Sequence, residues 1–123
     1  MLKLLLDEHI SPDVAAGLRG RRRALVVHCM VEWETGGYLG LGDTAVLKEA
    51  ALQGFTLVTY DRRTTPRLLK EWAEESRSHA GVIFVDDKTL APHDIGGLVR
   101  ALLNLFNGTR LWDWTDRVCF LRR

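Results

Sequence analysis

Sulfur is scarce in this sequence. Its two cysteines, Cys29 and Cys119, stand far apart and match no metal-binding or redox spacing. That excludes a disulfide scaffold and reads as two small apolar residues in a reducing compartment. Long apolar runs are missing as well. The run from Met1 to Leu6 is broken at once by Asp7 and Glu8, too short for a signal peptide or a membrane span. The expectation is a soluble, cytoplasmic chain with no membrane partner. Nor is there an excess of one charge: the formal net charge is +1, which argues against a constitutive, purely electrostatic nucleic-acid binder. Lysine is rare, 4 against 13 arginines. Arg19, Arg21, Arg22 and Arg23 cluster after the first expected helix, and Arg62, Arg63 and Arg67 near the middle. A GC-rich genome or a hot habitat produces the same bias without a functional cause. No internal repeat, linker or low-complexity segment interrupts the sequence, so residues 1–123 are read as one domain, large enough to bury about two-thirds of its unfolded surface.

What is present is an alternation. Leu2 to Leu6 is a continuous apolar run ending in acid, which suits a strand buried on both faces. Ser11-Pro12-Asp13 supplies an N-cap, a first-turn proline and a first-turn acid; Val14, Ala15 and Leu18 form the stripe that follows, and Gly20 ends it. Ala24 to Val27 is the second strand. His28 to Gly42, with four glycines, reads as a loop. Asp43 opens a helix with Val46, Leu47, Ala50 and Ala51 inward and Gly54 as its stop. Phe55 to Tyr60 is a third strand, Thr65-Pro66 starts a third helix, and Gly81 to Val85 is a fourth strand. Pro92 begins a fourth helix, with apolar residues from Ile95 to Phe106 at helical spacing and Gly108 as its end. Residues 109–123 alternate loosely, as a C-terminal extension or edge strand. Strands and helices in this order predict an α/β domain whose mostly parallel sheet, four to five strands, is flanked by helices in three layers.

In a parallel sheet the functional edge lies beyond the carboxyl ends of the strands. Asp7, Asp61 and Asp86 each follow a buried strand, and Asp43 heads the helix after the second strand and its loop. Carboxylates gathered along one edge repel, and some stay protonated unless a cation neutralises them. Hard divalent ions do so with oxygen ligands and support phosphoryl chemistry. Each acid also has a plainer reading. Asp43 suits a helix N-terminus, and Asp86 and Asp87 suit a strand end opening a turn. Asp7, with Glu8 beside it, and Asp61 are the least easily explained by structure alone. A lone His9 is more often structural.

Leu4-Leu5-Leu6-Asp7-Glu8-His9, Asp43 heading a helix, and Leu57-Val58-Thr59-Tyr60-Asp61 resemble a PIN-like family long catalogued as a domain of unknown function. Gly81-Val82-Ile83-Phe84-Val85 is similar to that family's next strand, and the resemblance covers about residues 1–106. It implies a ribonuclease related to VapC-type toxins, an Mg²⁺- or Mn²⁺-dependent hydrolase cutting single-stranded RNA, with a small antitoxin-like protein as partner. It also implies Asp7, Asp43 and Asp61 as catalytic and metal-holding acids, with Glu8 as a further metal ligand. Two departures stand out. His9 occupies a place where the family commonly has Asn, and Arg63 and Thr64 stand where it carries a second acid followed by Phe.

Arg62, Arg63 and Arg67 are expected to contact RNA phosphates. Residues 32–42 are expected to move or close over the site, with Trp33 and Tyr38 exposed and Trp33 stacking on unpaired bases. The tail residues Leu111, Trp112, Trp114 and Phe120 suggest a covering partner, a second copy of the chain included. Two other functions fit the same sequence: a catalytically weakened PIN-like module that binds RNA or protein, and a receiver-like phospho-acceptor domain. The second needs a hydroxyl residue after strand four and a lysine after strand five. Strand four ends in Asp86, and no lysine follows Lys88.

Overall fold

A computed structural model describes residues 2–37, 40 and 42–123. Five strands, β1 (Lys3–Leu6), β2 (Val26–Cys29), β3 (Thr56–Thr59), β4 (Val82–Val85) and β5 (Val118–Leu121), form one sheet in the order β2-β1-β3-β4-β5. All four pairings are parallel. Four helices connect them: α1 (Pro12–Arg21), α2 (Asp43–Gln53), α3 (Thr64–Glu74) and α4 (Ile95–Gly108). The expected three-layer α/β architecture is therefore present, and residues 118–121 of the tail are its edge strand. Among the described residues, no helix is long and apolar enough to cross a membrane.

The local signals act as their chemistry requires. Ser11 Oγ accepts the Asp13 N–H at 3.1 Å and Pro12 opens α1. Gly54 ends α2 at φ 75°, a left-handed position that costs glycine little. Most boundaries agree within a residue, and two elements shift by more. β2 runs Val26–Cys29, two residues later than Ala24–Val27, because β1 pairs with those four residues, Lys3 beside Val26 and Leu6 beside Cys29, while the Leu25 N–H is held in the preceding turn by Arg22 O at 3.1 Å. α4 begins at Ile95 and not at Pro92. Asp94 caps it, its carboxylate accepting the Gly97 N–H at 2.9 Å.

Side-chain alternation sorts the core into two layers. Leu4, Leu6, Val58, Ile83, Val85 and Leu121 face α1 and α4. Leu5, Leu57, Val82 and Phe84 face α2 and α3, joined there by Met30, Trp33 and Phe55. α1 and α4 lie in direct contact, and a methyl group added at Gly17 would come within 2.8 Å of Val99. Close packing of the two helices thus depends on a glycine at that point.

The placement of α4 has a topological consequence. The steps β2 to β3 and β3 to β4 cross the sheet in one direction with their helices on one face. The step β4 to β5 continues in that direction with its helix on the other face. Its crossover therefore has the opposite hand to the other three, against a rule obeyed in about 98 % of such units. Coverage explains the exception. α1 alone cannot bury one whole face of five strands, and α4 carries the apolar stripe able to do so.

Candidate active site

Strand order reverses direction between β1 and β3, and the crevice beyond the carboxyl ends of those two strands is where doubly wound sheets bind ligands. A cleft of about 460 Å³ opens there, lined by Asp7, Glu8, His9, Asp43, Tyr60, Asp61, Arg63 and Thr64. Three separate elements thus bring the expected acids to one place: the end of β1, the end of β3 and the start of α2.

Asp7 continues the ladder, its N–H donating to Val58 O at 3.0 Å. Its carboxylate is turned by two donors. Oδ1 accepts the His9 N–H at 3.0 Å, and Oδ2 accepts the Thr59 hydroxyl in a short contact. Thr59 Oγ1 in turn accepts the Asp61 N–H at 3.0 Å. A fully buried threonine therefore ties the two strand-end acids together. Sequence reading passed over Thr59, although its place at Thr59-Tyr60-Asp61, two residues before an acid, is the available signal.

Asp61 is more committed to structure than its sequence position suggested. Its Oδ1 accepts the Arg63 and Thr64 N–H groups at 2.8 and 3.0 Å, and its Oδ2 accepts the Thr65 N–H and hydroxyl at 3.1 and 3.2 Å. Burial raises its pKa, but the backbone donors of Thr64, Arg63 and Thr65, together with a hydrogen bond from Asp43, outweigh that and hold it at about 2. Asp43 responds in the opposite direction. The residue is exposed, yet its carboxyl is drawn partly out of water. This desolvation, the hydrogen bond to Asp61 and the charges of Asp61, Asp7 and Glu8 all raise its pKa. The two acids thus shift in opposite directions, as expected of carboxylates in contact with no cation between them.

These facts give a stability prediction with a definite sign. The folded pKa of Asp61 lies below its ordinary value of 3.8. Its contribution is thus present above that value and lost as pH falls towards about 2. Asp61→Asn puts an amide where backbone donors point and should cost about 1 kcal/mol, as loss of a helix cap does. Asp43→Asn should instead raise the melting temperature in metal-free buffer near neutral pH, because it removes a repelled charge. Thermal melts of both variants between pH 2 and pH 7 in EDTA check the pair. An Asp61→Asn protein as stable as wild type would contradict the capping role.

Among the described residues, no group of three His, Cys, Asp or Glu side chains stands close enough to hold a metal ion. The donor chemistry nevertheless suits a hard cation: two oxygen acids in contact, one with a raised proton affinity, and Asp7 and Glu8 on the same cleft. Asp43 and Asp61 fit such an ion as a pair. Asp7 is held beside them by Thr59.

The remaining candidates separate. Arg63 and Glu8 line the cleft, and Arg67 is exposed on the first turns of α3. Arg62 is engaged elsewhere, 3.6 Å from Asp86 and 5.8 Å above the Phe120 ring. Asp86 has the plainer role, its carboxylate holding the turn through the Lys88 N–H at 3.1 Å. Trp33 corrects the expectation of an exposed ring. It opens a 3-10 turn, Trp33–Gly36, and lies 3 % exposed, edge-to-face with Phe55 at 6.0 Å. Its indole completes the core beneath α2 and has no open face for a base. Tyr38, Leu39 and Leu41, within the loop expected to close over the site, lie outside the described residues. At the receiver-like positions, β4 is followed by Asp86 and β5 by Arg122 and Arg123. No family model, curated protein or solved structure matches the chain.

Proposed function

We propose that this chain is a PIN-like, divalent-cation-dependent endoribonuclease acting on single-stranded RNA, with Asp7, Asp43 and Asp61 holding Mg²⁺ or Mn²⁺. One observation carries the reading: acids from three elements meet at the switch-point cleft, and Asp43 is driven toward protonation by its neighbours. When bound, the ion supplies positive charge for the phosphoryl-transfer transition state. The chain's own residues divide the remaining work. Thr59 orients the Asp7 carboxylate, Glu8 and His9 stand at the cleft rim for proton transfer, and Arg63 reaches a backbone phosphate. Toxin activity and a small antitoxin-like partner belong to the same proposal.

A second reading, an RNA- or protein-binding module with catalysis weakened, is favoured by Arg63 in place of the expected acid and by the lack of a closed three-acid group among the described residues. The test is cleavage of an unstructured RNA with Mn²⁺, with Mg²⁺ and with EDTA. Metal-dependent cleavage supports the nuclease. RNA bound intact under all three conditions supports the module. Arg63→Asp adds a fifth carboxylate to the cleft and should tighten Mn²⁺ binding about tenfold, since ligand charge sets divalent affinity. Calorimetric titration with Mn²⁺ reads this directly. An unchanged affinity would show that position 63 does not face the ion.

A further inference from the structure

The outer edge of β5 is unpaired in the sheet. The carbonyls of Arg117 and Leu121 accept from the N–H groups of Val82 and Asp86 at 3.0 and 2.9 Å. Odd-numbered residues therefore turn their backbone groups toward β4, and Val118 and Phe120 turn theirs outward. Soluble proteins usually blunt such an edge with lysine, proline or a bulge. This one presents Val118 at 42 % and Phe120 at 57 % exposure, with Leu69 and Ala73 of α3 beside Val118.

We propose that β5 pairs antiparallel with β5 of a second copy, about a two-fold axis at Cys119, joining two five-stranded sheets into one. Backbone parity limits the choice of register, because outward-facing residues can hydrogen-bond only to outward-facing residues. Centring the axis on Phe120 sets Arg117 against the partner's Arg123, like charges directly opposite. Centring it on Val118 sets Phe120 against the partner's Asp116, an aromatic ring against a carboxylate. Centring it on Cys119 sets Val118 against the partner's Phe120, a favourable aromatic and β-branched pair; Asp116, at φ 58° in the turn before β5 with its N–H bonded to His79 O, lies beyond the ladder but on the side of the partner's Arg122. Opposite charges then flank both ends of the short ladder, within reach of the long arginine side chain. The Asp116 carboxylate is already fixed by Ser78 Oγ at 3.0 Å and the His79 N–H at 3.1 Å, and it retains lone pairs for a guanidinium. A second copy is thus the occupant whose charges match this edge. The acid clefts would face opposite edges of the joined sheet, so dimerisation and catalysis are tested separately.

Cys119 is a built-in reporter. At the axis it forms a non-hydrogen-bonded pair with its counterpart, with Cα atoms about 4.5 Å apart, inside the span of a disulfide. Copper–phenanthroline and air remove two electrons and two protons from such a thiol pair. A disulfide-linked dimer should form from wild type and from Cys29→Ser, but not from Cys119→Ser. Sedimentation velocity in the micromolar range should show a reduced dimer that Val118→Lys converts to a monomer with an unchanged circular dichroism spectrum. Arg122→Asp should weaken the dimer about tenfold by facing an acid with an acid. A monomer throughout the range, a dimer that survives Val118→Lys, or the lack of any Cys119 link would each overturn the proposal. So would a monomer whose Phe120→Lys variant loses RNA affinity, which would assign the edge to nucleic acid.

Discussion

Asp7→Asn is expected to abolish Mn²⁺-dependent RNA cleavage, by about three orders of magnitude, while leaving the melting temperature within a degree or two of wild type. The magnitude follows from the role. A catalytic ion contributes several kcal/mol of charge stabilisation in the transition state, and each ~1.36 kcal/mol is a factor of ten in rate. The retained fold follows from geometry. Asn keeps one oxygen to accept the His9 N–H, and its amide can donate to the Thr59 hydroxyl oxygen, whose proton is free to turn, so the link from β1 to β3 survives with its direction reversed. Asp43→Asn should lose activity to the same degree and gain stability without metal, for the reason given by its raised proton affinity. Asp61→Asn is the poorer probe, because helix α3 loses part of its first-turn support along with any metal site. Single-turnover cleavage of one unstructured RNA by wild type, Asp7→Asn and Asp43→Asn, each with Mn²⁺ and with EDTA, is the measurement. Equal residual cleavage by all three proteins would mark a contaminating nuclease, and an active Asp7→Asn would remove Asp7 from the site.

Trp33→Ala should have the largest effect on stability, about 3–5 kcal/mol, the range for truncating a buried aromatic. In a domain of this size that lowers the thermal midpoint by roughly 10 °C or more. The ring is 3 % exposed, meets Phe55 edge-to-face, and shares a cluster with Leu5, Met30 and Leu47. Those neighbours belong to separate strands and helices and cannot all close on the space left. RNA affinity per folded molecule should not change. A variant with wild-type stability and weakened RNA binding would return Trp33 to the surface role that its glycine-rich context suggested.

Much of this was decided locally. Alternating apolar strands and amphipathic helices determine a parallel sheet, and a parallel sheet must bring every strand's carboxyl end to one edge. Asp7 and Asp61 therefore share that edge on sequence grounds, and the pairing of β1 with β3 makes them neighbours. Capping by Ser11 and Asp94 and the stop at Gly54 follow from side-chain and backbone chemistry within a few residues. The part Asp61 plays for the first turn of α3 went unread in the sequence, where the acid was assigned to function alone, although it stands three residues before Thr64-Thr65-Pro66, where a first turn seeks an acceptor.

Other features depend on contacts between residues far apart in the chain, and periodicity cannot report those. Nothing near Trp33 indicates that Phe55, 22 residues later, will cover it. Nothing in α4 states which face of the sheet it will take. That choice was set by the apolar surface α1 left open, and it overrode the usual hand of a crossover. The raised proton affinity of Asp43 is likewise a tertiary product. A carboxylate's proton affinity depends on the charges and water around it, and only the folded chain brings these two acids into contact.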